Sequence, residues 1–286
     1  MVNDVGVIVD LFCGAGGFSC GFLDSGVKLI GVDNWGVALE TYKDNIGGEV
    51  IERDILKFDP STIGKVDVLI GSPPCQTHSN ANKFKTHDPA LIKRYMEIRD
   101  ALRPKWWVME EVTGAVATGI IPLQYQRYLK ACEFGLPHER DRLFAGNYPN
   151  VIKKGITRVV FPTPTAGYGE NSGLGMLGGT AHFEMWKKIL ATPPKGDPIA
   201  VRQVESIKAF RRERNVPMSS TAGIRASITI EFCTWLMGFP ADYRFHGTRS
   251  EQFKQIGNAV CPPVARAICE AIKSGREPPM VQKTLW

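Results

Sequence analysis

Two short apolar runs near the amino terminus, Val5 to Val9 and Val27 to Val32, lead into Asp10 and Asp33, and between them lies Cys13-Gly14-Ala15-Gly16-Gly17 with a helical pattern through Phe22 and Leu23. Strand, glycine turn, helix and strand make the β-α-β unit of a parallel sheet, because parallel neighbours need a crossover and a helix supplies it. The pattern continues with a helix-like Val37-Ala38-Leu39-x-x-Tyr42, strands at Val66 to Gly71, Trp106 to Glu110 and Arg142 to Ala145, and a helix over Ile92 to Leu102. The alternation predicts an α/β fold with a doubly wound, mostly parallel sheet.

With 286 residues, 43% of them apolar, the chain can bury one large core or one core with a smaller appended lobe. No run approaches the roughly 18 to 20 apolar residues that a membrane span needs, and Met1-Val2-Asn3-Asp4 lacks the basic n-region of a secretory signal. The expectation is a cytoplasmic protein without membrane contact. The seven cysteines form no C-x-x-C pair or zinc spacing, which predicts no metal and no disulfide framework.

From Asn150 to Ala226 the pattern loses its period, interrupted by Pro162, Pro164, Pro193, Pro194, Pro198 and Pro217 and by the glycines between Gly167 and Gly179. Periodic order returns over Ile228 to Met237 and Pro263 to Lys273. This divides the chain into a first domain over 1–149, a smaller loop-rich lobe over 150–226, and a segment over 227–286 that returns to the first domain.

The strand Val66 to Gly71 runs through Ser72 into Pro73-Pro74-Cys75-Gln76. Two prolines end a strand, since neither nitrogen can donate to a ladder, so Cys75 is carried on a stiff loop at a strand's carboxyl end. Ligands of open α/β sheets bind at that edge. A small buried cysteine after a turn is the plain alternative. At the first turn, glycines let main-chain N–H groups approach a ligand, and Asp33 is placed to accept from a ribose diol. Ser19 stands where a dinucleotide fingerprint needs its third glycine, and no Gly-Lys-Ser/Thr follows, so a nucleoside without phosphate, such as S-adenosylmethionine (SAM), fits best. A turn that serves only helix–strand packing is the other reading.

Five ordered motifs carry a resemblance: Asp10-Leu11-Phe12-x-Gly14-x-Gly16-Gly17-Phe18, Pro73-Pro74-Cys75-Gln76-x-x-Ser79, Glu110-x-Val112, Phe134-Gly135-x-Pro137-x-x-Arg140-x-Arg142 and Gln255-Ile256-Gly257-Asn258-Ala259-Val260. In order and rough spacing the set resembles the cytosine-C5 DNA methyltransferases, over residues 5–148 and 225–272. The resemblance implies a SAM-methyltransferase, Rossmann-like sheet with a recognition lobe, and an enzyme of restriction–modification type acting as a monomer on double-stranded DNA. It makes Cys75 the nucleophile toward C6 of a flipped-out cytosine, with the methyl going to C5. Glu110 would contact N3 and the exocyclic amine, Arg142 the O2, and Arg140 would support the catalytic loop. Pro74, Gln76 and Ser79 would lie against the base or its phosphate. Phe12, Gly14 and Gly16 would line the methionine part of SAM, Asp33 the ribose, Asp54 and Ile55 the adenine, and Asn258 would close the pocket.

The chain departs from that pattern at Glu111, where the family has Asn, at His138, where it has Gln, and at His78, where an aromatic residue is usual. Neighbours on a strand face opposite ways, so only one of Glu110 and Glu111 can reach the base, and the second carboxylate is expected to raise the pKa of the first. His78, so close to Cys75, leaves open a Cys–His pair of thiol-hydrolase type. The span from Glu110 to Phe134 has room for one loop and one strand, which implies a lost helix. The net charge of +6 concentrates in the loop-rich lobe, where Lys153, Lys154, Arg158, Lys187, Lys188, Arg202, Lys208, Arg211, Arg212 and Arg214 face few acids. Lys83, Lys85 and Arg94 add charge beside the catalytic loop. Such a distribution suits phosphates, although a solvated basic surface is the bland reading. A tRNA methyltransferase of the same chemistry and a catalytically silent binding partner of the same fold are the rival functions.

Overall fold

A computed structural model of the chain describes residues 6–23, 26–74, 89–158, 161–164, 180–192, 196–215 and 227–275. Seven strands form one sheet: β1 (Val7–Leu11), β2 (Lys28–Asp33), β3 (Glu49–Glu52), β4 (Val68–Gly71), β5 (Trp106–Glu111), β6 (Gln126–Lys130) and β7 (Asp141–Gly146). Their order across the sheet is β3-β2-β1-β4-β5-β7-β6, parallel except that β7 runs antiparallel to both neighbours. The order reverses direction between β1 and β4, which opens a crevice at their carboxyl ends. Asp33, Gly71 and Glu111 end their strands at that edge, and β7, being antiparallel, begins there.

The helices are α1 (Gly17–Cys20), α2 (Gly36–Ile46), α3 (Ala90–Leu102), α4 (Thr180–Ala191), α5 (Pro198–Glu213), α6 (Ile230–Met237), α7 (Arg249–Asn258) and α8 (Pro262–Lys273). Alternate strand residues feed two cores. Ile8, Val68, Ile70, Val108 and Phe144 face one way, packed with Phe18 and Phe22 and with Val264 and Ile268 of α8. Val9, Leu69, Trp107, Met109 and Leu143 face the other, against Ile92, Tyr95 and Ile98 of α3. The central strands are apolar on both faces, as a sheet covered on both sides requires. Each fully buried Ile or Leu contributes about 1.5–3 kcal/mol, so the two layers fix the strand register firmly.

The five strands expected from apolar runs are present, and the two edge strands β3 and β6 join them. Glu-Val-Ile-Glu and Gln-Arg-Tyr-Leu-Lys hold no continuous apolar run, because an edge strand is half solvated. Residues 112–125 between β5 and β6 form two 3-10 turns, Thr113–Thr118 and Leu123–Tyr125, in agreement with the short span between Glu110 and Phe134. Within 150–226 the prolines punctuate helices rather than exclude them. Asp197 caps α5 by accepting from Ile199 N and Ala200 N, and Pro198 occupies the first turn, where no donor is needed. Trp186 of α4 and Phe161 meet Phe232 and Trp235 of α6 with ring centroids 5.1–6.1 Å apart, so these helices pack on the returning segment.

Candidate active site

The turn after β1 is built on left-handed residues. Phe12 (φ 58°), Gly14 (φ 48°) and Gly16 (φ 85°) all lie there, and the strained one is Phe12, since a bulky residue at positive φ is rare. A Cβ on Gly14 would meet nothing within 4 Å, so the turn is open on that side. On Gly16 a Cβ would stand 2.7 Å from Ile46 and 3.1 Å from the Tyr243 hydroxyl, so that side is closed. Asp33 ties the turn to the end of β2. One of its oxygens accepts from Gly14 N at 2.8 Å, and the other accepts from Asn34 N at 2.8 Å and Trp35 N at 2.9 Å. Three main-chain bonds use most of a carboxylate's acceptor capacity, which leaves room for about one more donor. Burial pushes its pKa up, against the pull of those N–H groups.

Asp54 caps the 3-10 turn Ile55–Lys57 through Leu56 N at 3.0 Å, while the Ile55 side chain is buried in the core. Arg94 is expected from sequence to meet nucleic acid, but its guanidinium is spent inward. It donates to Ile55 O at 3.1 Å and Phe58 O at 2.6 Å and pairs with Glu97 at 2.9 Å, so it pins the Asp54 turn instead. Asn258 ends α7 and is exposed. The next residues, Ala259 and Val260, lie so close to Gly17 that a Cβ there would be 2.5 Å from Val260 O. Ala259 and Val260 therefore border the glycine turn.

At the other end of the crevice Glu110 and Arg142 form an ion pair, Nε to Oε1 3.1 Å, with side chains 8% and 19% exposed. Glu110 stands opposite Phe144 and Glu111 opposite Leu143, and the two carboxylates leave β5 on opposite faces. A small cavity beside the pair is lined by Glu110, Arg140, Arg142, Phe144, Val260 and Cys261. Arg140, 5% exposed, donates to Pro164 O at 2.7 Å and Ala259 O at 3.1 Å, and so braces the chain on both sides of the pair. Cys261 is not a thiolate candidate, since burial pushes its thiol up to about 11 despite the nearby arginines.

Glu111 corrects the expectation attached to it. Burial first, and then Glu110, push its own carboxyl up to about 8; Oε2 accepts from Val112 N at 3.0 Å and Oε1 has no hydrogen-bond partner among the described residues. Near neutral pH it is mostly protonated, so it sets no charge beside Glu110. His138 is wholly buried against the Leu236 main chain, and burial with the Arg140 charge pushes it down to about 3. It is a neutral packing residue. Pro74 sits exposed at the end of the β4 loop. Cys75, Gln76, His78, Ser79, Lys83 and Lys85 lie outside the described residues.

The pattern of a C-5 cytosine-specific DNA methylase matches residues 7–119 and 195–274, which together are well over half of the chain. The chain belongs to that family. Arg140 and Arg142 fall in the unmatched stretch, so what connects them to the site is the ion pair of Arg142 with Glu110 and the place of Arg140 in the wall of the cavity beside it. This methylase is 29% identical to the type II methyltransferase M1.HphI of Haemophilus parahaemolyticus, over 92% of the chain and 86% of the relative. It is 28% identical to M.BsuFI of Bacillus subtilis, over 93% of the chain and 72% of the relative. Among solved structures, the Entamoeba histolytica methyltransferase EhMeth superposes with a TM-score of 0.60 at 15% identity, over 96% of this chain and 99% of that one, a likeness of fold. The methylase is a DNA cytosine-5 methyltransferase, and SAM is its methyl donor. The open side at Gly14, the closed one at Gly16 and the spare acceptor capacity of Asp33 fit a nucleoside cofactor with no phosphate to neutralise. Among the described residues no acidic or thiol cluster suits a metal, and no helix is long and apolar enough to cross a membrane.

Sequence reasoning passed over Tyr243 and Trp35. Tyr243 touches the glycine turn from a distant segment, and Trp35, beside Asp33, lies under the Lys254 ammonium at 4.6 Å from the ring centroid. The Gly238-Phe239-Pro240 turn ahead of Tyr243 was a signal only for packing.

Proposed function

We propose that this methylase transfers the methyl group to C5 of a cytosine swung out of duplex DNA, through a transient bond between Cys75 and C6. The Glu110–Arg142 pair, at the carboxyl edge beside the strand that delivers Pro73-Pro74, is the observation that carries the reading. The thiolate adds to C6, which moves electron density onto C5 and N3. Glu110 shares a proton with N3 and holds the exocyclic amine, while Arg142 donates to O2, so the charge that develops meets groups already in place. SAM supplies an electrophilic methyl group. The C5 proton then leaves to a base, the electron pair it leaves re-forms the ring double bond, and Cys75 departs as thiolate.

Arg140 acts as a positioning residue here, through Pro164 and Ala259. Pro74, Gln76 and Ser79 form the wall around the base. Phe12, Gly14, Gly16, Asp33, Asp54, Ile55 and Asn258 bind the cofactor, with Ile55 acting through its main chain. The 150–226 lobe supplies recognition of the target. Its charge is partly neutralised, since Lys153, Lys187 and Arg202 pair with Glu133, Glu184 and Glu231 at 2.7, 2.6 and 3.3 Å. Lys154, Arg158, Lys188, Lys208 and Arg212 remain for phosphates, and binding weakens as salt rises. The enzyme works as a monomer in restriction–modification.

A duplex carrying 5-fluorocytosine tests the chemistry. With SAM it forms an SDS-resistant adduct, because fluorine cannot leave as a proton does, and Cys75→Ala forms none. Labelled methyl reaching tRNA and not DNA would move the assignment to RNA. A folded, SAM-binding protein that methylates neither would be a silent partner.

A further inference from the structure

Residues 238–247, between α6 and α7, are bound to the cofactor end at several points. The Tyr243 hydroxyl donates to the Ala15 carbonyl in the middle of the glycine turn, across 228 residues of chain. Its ring packs in one cluster with Phe239 and Phe245, at centroid distances of 4.6 and 5.2 Å. Next to it, the Asn45 side chain accepts from Arg244 N and donates to Arg244 O, both at 2.8 Å, much as a neighbouring strand would. His246 N donates to Thr41 Oγ1 at 2.9 Å, and from α7 Gln252 and Gln255 donate to the carbonyls of Phe245 and His246, both at 2.9 Å. The segment is thus clamped to α2 on one side and α7 on the other, and its one inward hydroxyl ends on the turn.

That turn needs support. It holds three glycines within four residues, and glycine loses more freedom on ordering than any other residue. On the β1 side the support is visible: Ser19 donates to Asp10 Oδ2 at 2.7 Å and meets the Tyr42 hydroxyl at 2.9 Å, which anchors α1 behind the turn. The Ala15 carbonyl in the turn itself is held by Tyr243, and Ala15 is 4% exposed, so water is no ready substitute. Burial keeps the Tyr243 hydroxyl protonated, and therefore a donor, at every pH the enzyme meets.

We propose that Tyr243 is a positioning residue for the cofactor: through Ala15 it holds the glycine turn in its binding shape before SAM arrives, with the Asn45–Arg244 clasp keeping it in register. The inference rests on the cofactor placement proposed above. Ordering the turn in advance lowers the cost of binding without touching the reacting atoms, so affinity for the cofactor changes and turnover at saturation does not.

Calorimetry with S-adenosylhomocysteine, beside steady-state kinetics on duplex DNA, tests this on the full chain. In Tyr243→Phe the dissociation constant and the KM for SAM rise about tenfold, the scale of one orphaned hydrogen bond, while kcat and the KM for DNA stay within about twofold. Asn45→Ala, at the exposed end of the clasp, shifts the same two constants in the same direction by about threefold. Unchanged affinity in Tyr243→Phe overturns the proposal, and so does a loss spread equally over kcat, both KM values and thermal stability, which marks general loosening. The parent protein separates the two levels. If it binds the probe and only the variants fail to differ, the role of Tyr243 falls; if the parent does not bind, the cofactor placement falls with it.

Discussion

Arg142 Nε lies 3.1 Å from Glu110 Oε1 across the strand pair β5–β7, and both side chains are largely withdrawn from water. An ion pair there has a geometric consequence: each group fixes the position of the other before a base arrives. Glu110→Gln keeps the shape and loses the charge, and is expected to lower kcat about 10²- to 10³-fold with S-adenosylhomocysteine affinity unchanged. Arg142→Ala leaves Glu110 withdrawn from water without its partner, so it costs about 3 kcal/mol of stability in urea unfolding as well as activity. Single-turnover methylation beside the unfolding curves measures the two effects separately.

Glu111 gives a pH signature of its own. Its folded carboxyl titrates near 8 against an ordinary 4.5, so between those values the folded state holds a proton that the unfolded chain has lost. Stability therefore falls as pH rises from about 4.5 to about 8 and is level above that. Glu111→Gln keeps the shape without the titration. Its unfolding midpoint is expected to exceed the parent's at pH 8.5 by about 2–4 °C for each kcal/mol removed, with the gap closing toward pH 5. Parallel melting curves for the two proteins would contradict the assignment.

His138 predicts the opposite slope. Pushed down from 6.5 to about 3, it is neutral when folded and becomes charged when unfolded in acid, so it costs stability as pH falls below about 6.5. In His138→Gln that loss disappears, and the acid limb of the pH–rate profile between about pH 5 and 7 stays where it was. A limb that moved would return His138 to the chemistry.

Asp33 already serves three main-chain donors, so its substitution acts on the turn as well as on the ribose contact proposed for it. In Asp33→Asn one acceptor oxygen becomes an NH2 group facing a backbone N–H. The expected result is at least about tenfold weaker S-adenosylhomocysteine binding in calorimetry, because an unpaired buried donor costs about 1–3 kcal/mol.

The parallel core was readable because buried strands are long apolar runs, and the glycine turn and Asp33 because a β-α-β crossover leaves little choice of place for them. The edge strands β3 and β6 were hidden by their polar, half-solvated composition. Strand alternation correctly put Glu110 and Glu111 on opposite faces, but which of them is perturbed depends on burial, which no spacing reveals. Arg94 shows the same limit. Its charge was plain in the sequence, while the two carbonyls that absorb it come from residues 55 and 58. Tyr243 was missed because its partner is a main-chain atom at the far end of the chain.

The close approach of α1 to α8 bears on how the enzyme is made. A Cβ on Gly21 would stand 2.4 Å from the Ala265 backbone, so the first helix has its seat on the last one. Until the ribosome has added residues 262–273, the amino-terminal helix keeps its contacts with Asp10 and Tyr42 but lacks this seat, so the glycine-turn end is incompletely packed. Stalled nascent chains that stop before Pro262 should therefore leave this first segment open to protease, and chains that extend past Lys273 should protect it.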